Sequence, residues 1–222
     1  MPEGRSELTT GIPRNMIRII LMRAESMSRT PNSQKEATHE RIVDVAARAL
    51  RRNGYAGVGV AEVMKEAGLT HGGFYAHFDS REALLVAALE RASDESHQIV
   101  ARVAKQRVGK GVSAFRALVE TYLADEHLAS LEIGCPVAAL GSEMPRQSEM
   151  LRDASAVRVQ RLIASVRALL PGASLTAARV VASTLVGSLQ LARALGDNAE
   201  GRALLSTTRK SLLQQYDSPV AH

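Results

Sequence analysis

Residues 54–78 read GYAGVGVAEVMKEAGLTHGGFYAHF, and the fold turns on how that stretch is punctuated. Two short apolar-periodic segments flank Gly68. The first starts near Gly59 and places Val60, Val63, Met64 and Ala67 on one face; the second follows Thr70, a residue able to cap it, and ends at Phe78. Glycine at position 68 permits the tight bend between them. Phe74 and Phe78 are spaced i, i+4, so they share a face and are expected to be buried anchors together with Tyr55. Upstream, Thr38 is expected to cap a helix whose apolar positions are Ile42, Val45, Ala46, Ala49 and Leu50, stopped by Asn53-Gly54. Downstream, Asp79-Ser80 caps a helix that begins Arg81-Glu82. Short helices around a glycine turn are the helix-turn-helix layout.

The composition agrees. Of 222 residues, 45% are hydrophobic and only 3% aromatic, with no Trp. Ala, Leu, Val and Arg dominate, a helix-former's mixture with too little aromatic content for sheets. One cysteine, Cys135, excludes an internal disulfide and a Cys-rich zinc module. The formal charge of +5 favours a polyanionic partner. No run approaches the roughly 20 apolar residues of a membrane span, and the N-terminus lacks the order of a signal peptide, so a cytoplasmic location is expected. Residues 1–37 show no sustained period and read as a mostly disordered extension. Met27-Ser28-Arg29-Thr30-Pro31 looks like a start in its own right, which would make the first 26 residues a gene-calling artefact.

The remaining segments are helical too. One helix runs from Ser80 to about Gln106, and another contains Phe115, Leu118, Val119 and Tyr122. A short one is expected over Leu128 to Ile133. A long helix after Pro145 carries Val159, Leu162, Ile163, Val166 and Leu170 on one face, and helices near 175–195 and 200–216 close the chain. Leu175 to Leu195 is apolar or small nearly all round, with only Arg179 and Arg193 charged. Such a helix needs cover on more than one side, and a second copy across a two-fold axis is the simplest source. The fold class is therefore all-α: a three-helix helix-turn-helix domain over 38–83 followed by a helical domain over 84–218.

The stretch from Gly54 to Phe78, with Ser80-Arg81-Glu82-Ala83-Leu84 after it, resembles the DNA-binding signature of TetR-family transcriptional regulators over about 50 residues. It includes the Tyr-x-His-Phe ending at Tyr75-Ala76-His77-Phe78. The resemblance implies a homodimeric repressor on a palindromic operator in double-stranded DNA, with half-site centres about 10 base pairs, or a multiple, apart. It also implies that residues 84–218 bind a small-molecule inducer and dimerise. Thr70, His71, Gly72 and Gly73 would face the major groove, while Tyr75 and His77 would bond backbone phosphates. Thr70 to Phe78 contains no Lys or Arg, so bidentate arginine-to-guanine reading is not available from this segment. Main-chain contacts, water and DNA shape must contribute more. Phosphate neutralisation is expected from Lys65, Arg51 and Arg52, with Arg29 and Lys35. Gly59 stands where the family usually has Ser or Thr.

Gly134 to Glu143 resembles a segment at the entrance to the ligand-binding domain of one TetR-family subset, in some members of which a cysteine responds to oxidants or electrophiles. That chemistry needs a partly exposed thiolate, and Cys135 just before Pro136 can sit at a helix N-terminus. The competing reading is a buried thiol acting as a small hydrophobe, the commoner fate of a lone cysteine. For a non-covalent inducer the candidate lining residues are Leu118, Tyr122, Met144, Met150 and Gln190. Two rival functions stand beside this one. An enzyme with a Cys nucleophile would need a paired histidine, and His97 and His127 lie in no recognisable motif. A helical adaptor binding only protein would show no salt-dependent DNA binding. Neither a cofactor nor a metal is expected, since no phosphate loop, dinucleotide glycine pattern or ligand cluster occurs.

Overall fold

Every element of the chain is helical among the described residues, which in the computed structural model are 31–172 and 174–217. The helices are α1 (Pro31–Asn53), α2 (Val60–Glu66), α3 (Arg81–Val108), α4 (Ala114–Tyr122), α5 (Asp125–Ala129), α6 (Pro136–Leu140), α7 (Glu149–Leu169), α8 (Leu175–Leu195) and α9 (Ala199–Tyr216), with 3-10 turns at His71–Ala76 and Met144–Arg146. The chain divides into two units, residues 1–40 and 41–222. In the first, the described residues are already helical from Pro31, which corrects the expected start at Thr38 and the disorder expected up to residue 37. Proline is preorganised for a first helical position, and Thr38 lies mid-helix, its hydroxyl donating back to the Gln34 carbonyl at 2.8 Å instead of capping. The expectations for residues 1–30, including the start at Met27, lie outside the described residues.

Within the second unit the elements stop and start where side chains supply the missing backbone partners. Gly54 closes α1 with φ +71°, its N–H donating to the Leu50 carbonyl at 3.0 Å. Ser80, Ser113, Ser148, Ser174 and Asn198 each accept from the first turn of the helix that follows. The short helix expected over Leu128 to Ile133 instead spans Asp125–Ala129. Asp125 and Glu126 favour the positive end of its dipole, and Leu131 and Ile133 lie beyond it, half exposed.

One apolar core joins the elements: Ile42, Leu50, Tyr55, Met64 and Phe74 at the helix-turn-helix end, continuing through Leu84, Leu85 and Leu89 of α3 to Phe115, Leu123, Leu140, Val166 and Leu185. α3 is the axis of this arrangement, 28 residues or about 42 Å long, running through the expected boundary at 83/84. α8 buries Val181, Leu185, Leu189 and Ala192. By length and composition alone it is apolar enough to cross a membrane, a correction to the expectation that no such run exists, but one face belongs to this core and packs on α7 and α9. Its other face leaves Val180, Leu191 and Leu195 exposed at helical spacing.

Candidate nucleic-acid interface and ligand cavity

The segment after Gly68 is a stub of six residues. Gly68 adopts φ +71°, a conformation that an L side chain resists, and so delivers the chain from α2 into His71–Ala76. The stub winds as a 3-10 helix, with Gly73 N–H donating to the Thr70 carbonyl at 3.1 Å and His77 N–H to the Phe74 carbonyl at 2.9 Å. Two adjacent glycines support a full α-turn poorly. Phe74 and Phe78 turn inward, stacked with ring centroids 5.7 Å apart, and fix the stub to the core.

What that anchoring leaves outward is polar. Thr70, His71 and Gly72 are exposed, Gly73 and His77 half-buried, and Tyr75 is 71% exposed while its ring edge rests on Phe74 at 5.2 Å. Thr70 does not cap the stub with its side chain, contrary to the expectation, because its own carbonyl accepts from Gly73. Gly72 is informative in another way. A Cβ built there meets nothing within 4 Å and its φ is ordinary, so the fold does not require glycine at that position.

The expected phosphate-neutralising residues divide. Lys65 is exposed on α2 and Lys35 on α1. Arg51 is a correction: it is 5% exposed, bound to Glu95 at 2.6 Å and to the Ala92 carbonyl at 3.2 Å, so it clamps α1 to α3. Arg52 is exposed but engaged by Glu132 at 2.5 Å and lies 3.8 Å from Glu66. Arg29 lies outside the described residues. Two residues that the sequence reading did not single out position the head. Arg81 donates to the carbonyls of Val58, at 2.9 Å, and of Tyr55. Glu143, from the helical body, accepts from Tyr55 N–H at 3.0 Å and fills the space beside Gly54. The Tyr55 hydroxyl meets Ser155 Oγ at 3.2 Å, and since Ser155 donates to the Leu151 carbonyl at 2.6 Å, tyrosine is the donor.

Around Tyr122 lie two cavities. One, of about 850 Å3, is bordered by α3, α4, α6 and α7; the other, of about 810 Å3, by α3, α4, α5 and Arg209 of α9; both reach Ser96, Val100 and Tyr122. Of the residues expected to line a ligand site, Leu118, Tyr122 and Cys135 border the first cavity. Met144 is buried at the start of the second 3-10 turn, Gln190 is half-buried next to Gly141, and Met150 is 55% exposed; none of the three borders either cavity. Met150 lies on the first turn of α7, whose inward residue there is Leu151.

Cys135 is buried at 4% exposure, and burial pushes its thiol above the ordinary range. The exposed thiolate that the sensor reading requires is therefore not what the fold provides, although Pro136 does begin α6. His127 is the pivot of this region. Its Nδ1 donates to the Tyr122 carbonyl at 2.7 Å and its Nε2 accepts from Cys135 N–H at 3.2 Å, which fixes a neutral tautomer. Burial, aided by the nearby Arg193 charge, lowers its pKa to about 4. Arg193 in turn donates to the carbonyls of His127 and Ser130 at 2.9 and 3.1 Å, tying that turn to α8.

Residues 42–88 match the family model described as "Bacterial regulatory proteins, tetR family". The HTH-type transcriptional regulator YerO of Bacillus subtilis is 41% identical over 51 residues, 23% of this chain and 18% of that protein. LmrA of B. subtilis is 30% identical over 120 residues, 53% of this chain and 62% of that protein. The transcriptional repressor NemR of Escherichia coli is 28% identical over 117 residues, 53% of this chain and 59% of that protein. In each case the match spans less than two thirds of the curated relative. The crystal structure of reduced E. coli NemR superposes with a TM-score of 0.68 at 22% identity, over 83% of this chain and 100% of that one, a likeness of fold.

Proposed function

We propose, from the match of residues 42–88 to the family model of tetR-type bacterial regulatory proteins, that this chain is a DNA-binding transcriptional regulator acting as a repressor on a palindromic operator. One observation carries the reading: an anchored stub whose outward groups, Thr70, His71, Tyr75 and the uncovered backbone at Gly72, are those that bond phosphates and approach a groove closely. Lys65 adds an exposed cation on α2, and His77 and Gly73 complete the surface. The active species is a homodimer formed through α8 and α9, because Val180, Leu191 and Leu195 leave an apolar stripe on α8, and a Cβ on Gly187 would meet only open space. Two heads then meet half-sites whose centres lie about 10 base pairs, or a multiple, apart.

Release from DNA follows occupation of the cavity beside Tyr122 rather than modification of Cys135, whose thiol is buried and protonated. A ligand there bears on α3, which ends at the head, and so biases the separation of the two stubs. Footprinting and fluorescence anisotropy on the DNA upstream of the gene test the reading. Saturable binding that weakens with salt, with a two-fold symmetric footprint, is expected. A protein that sediments as a single protomer and leaves every promoter fragment unprotected overturns it.

A further inference from the structure

The cavity of about 850 Å3 is long rather than round. It is bordered on α3 from Ser93 to Val108 and on α7 from Arg158 to Leu169, helical lengths of about 22 and 16 Å. Along that length the two helices present alanines, Ala101 and Ala104 on α3, Ala164 and Ala168 on α7, which leave the passage unfilled. Leu118, Val137 and Val166, all buried, supply its apolar wall, with Val100 and Leu162 half-buried beside them.

The polar groups of the lining are already engaged or out of reach. Arg158 Nη1 donates to Glu90 and Arg161 Nη1 to Asp94, each at 3.3 Å across the seam between α7 and α3. Ser93 Oγ donates to the Leu89 carbonyl at 2.9 Å. Ser165 Oγ donates to the Arg161 carbonyl at 2.9 Å, and so accepts from His97 Nδ1 at 3.3 Å. The Tyr122 hydroxyl is sealed in the packing, so the tyrosine presents its ring, and Cys135 adds a buried neutral thiol. Lys105 is exposed and keeps its ammonium in water. Among the described residues of the lining, Ser96 is the hydroxyl left over, half-buried in the wall shared with the neighbouring cavity.

A charge carried into this passage would lose its water and find no partner, a cost that an aliphatic chain does not incur. Tyr122 is the single aromatic ring of the lining, which suits a flexible chain better than a stacked planar molecule. From this arrangement we infer that the cavity takes an uncharged single-chain aliphatic molecule, such as a long-chain alcohol, lying lengthwise between α3 and α7. The inference rests on the proposed reading of this body as the ligand-binding part of a regulator, and adds the chemistry of the ligand.

Calorimetric titration of the full chain with 1-decanol, 1-octanol, decanoate and decylammonium tests it. 1-Decanol should bind at least tenfold more tightly than either ion. Removing methylenes, as in 1-octanol, should weaken binding by roughly fourfold each. Ala104→Leu, which fills the passage, should weaken 1-decanol at least tenfold. Because Ala104 is buried, Val100→Ala provides a variant at a half-buried position, and it should weaken 1-decanol several-fold by removing wall contacts. Urea titration establishes that both variants are folded. An ion that binds as tightly as 1-decanol, affinity independent of chain length, or unchanged 1-decanol affinity in both folded variants overturns the inference. The same preparation is assayed on the upstream DNA. If DNA is bound and 1-decanol is not, the ligand inference falls and the regulator reading stands; if 1-decanol binds and no DNA does, the reverse holds.

Discussion

The segment 70–78 that carries the stub and the buried region around Tyr122 use the same side-chain types in opposite states. In the stub a histidine and a tyrosine, His71 and Tyr75, point into solvent above two buried phenylalanines. Around the cavity a tyrosine and a histidine, Tyr122 and His127, point inward, and burial dictates their chemistry: the phenol is held well above its ordinary pKa and the imidazole is held neutral. The difference teaches where to look for function. An imidazole with its bonds completed inside the protein, as at His127, builds a shape, whereas polar groups carried outward on an apolar anchor wait for a partner.

The largest effect that tests this contrast lies beneath the stub. Phe74→Ala removes its anchor and should cost about 3–5 kcal/mol of unfolding free energy in urea titration; a cost below 1 kcal/mol would mean that the stub is not seated as described. Next is His127. Its pKa in the unfolded chain is near 6.5 and in the folded chain about 4, so below pH 6.5 the unfolded chain takes up a proton that the native state refuses. The stabilisation is complete above pH 6.5 and is lost as pH falls toward 4, an effect of about 3 kcal/mol. His127→Gln should flatten that part of the stability profile, and an unchanged slope would contradict the neutral tautomer.

Smaller effects separate folding from recognition more sharply. Gly72→Ala should leave the protein as stable or raise stability by about 0.4–1 kcal/mol, while operator affinity drops at least tenfold because, in the proposed binding mode, a methyl group then stands where the backbone approaches DNA. If both quantities hold constant, Gly72 is not at the interface. Tyr75→Phe should move stability by less than about 0.5 kcal/mol and weaken operator binding by about 1 kcal/mol, the worth of one hydrogen bond; loss of stability instead would reassign the hydroxyl to the fold.

Much of the architecture was legible because it is periodic. The apolar spacing of α1, α2 and α3, the glycine at 68 and the aromatic pair at 74 and 78 all encode local geometry, and local geometry is what spacing reports. The head's exposed residues were legible from resemblance rather than physics. Long-range pairing was not: Arg51 reads as a basic surface residue until α3 brings Glu95 alongside, and Glu143 reads as an ordinary acid until it reaches Tyr55 N–H across 88 positions of sequence. The start of α1 was missed because Thr38 carries a capping residue's chemistry in a mid-helix position. The ligand candidates divided for the same reason, since methionine and glutamine at 144, 150 and 190 carry no signal of which helix face meets the cavity.

The carboxylate of Glu143 against Gly54 and Tyr55 also limits how freely this head can be exchanged. A chimera that joined residues 41–80 to a different helical body would leave the Tyr55 amide without its acceptor unless the recipient offered an acid at the matching place, and any side chain at position 54 would collide with that same carboxylate. Head and body are therefore transplantable only as a matched pair.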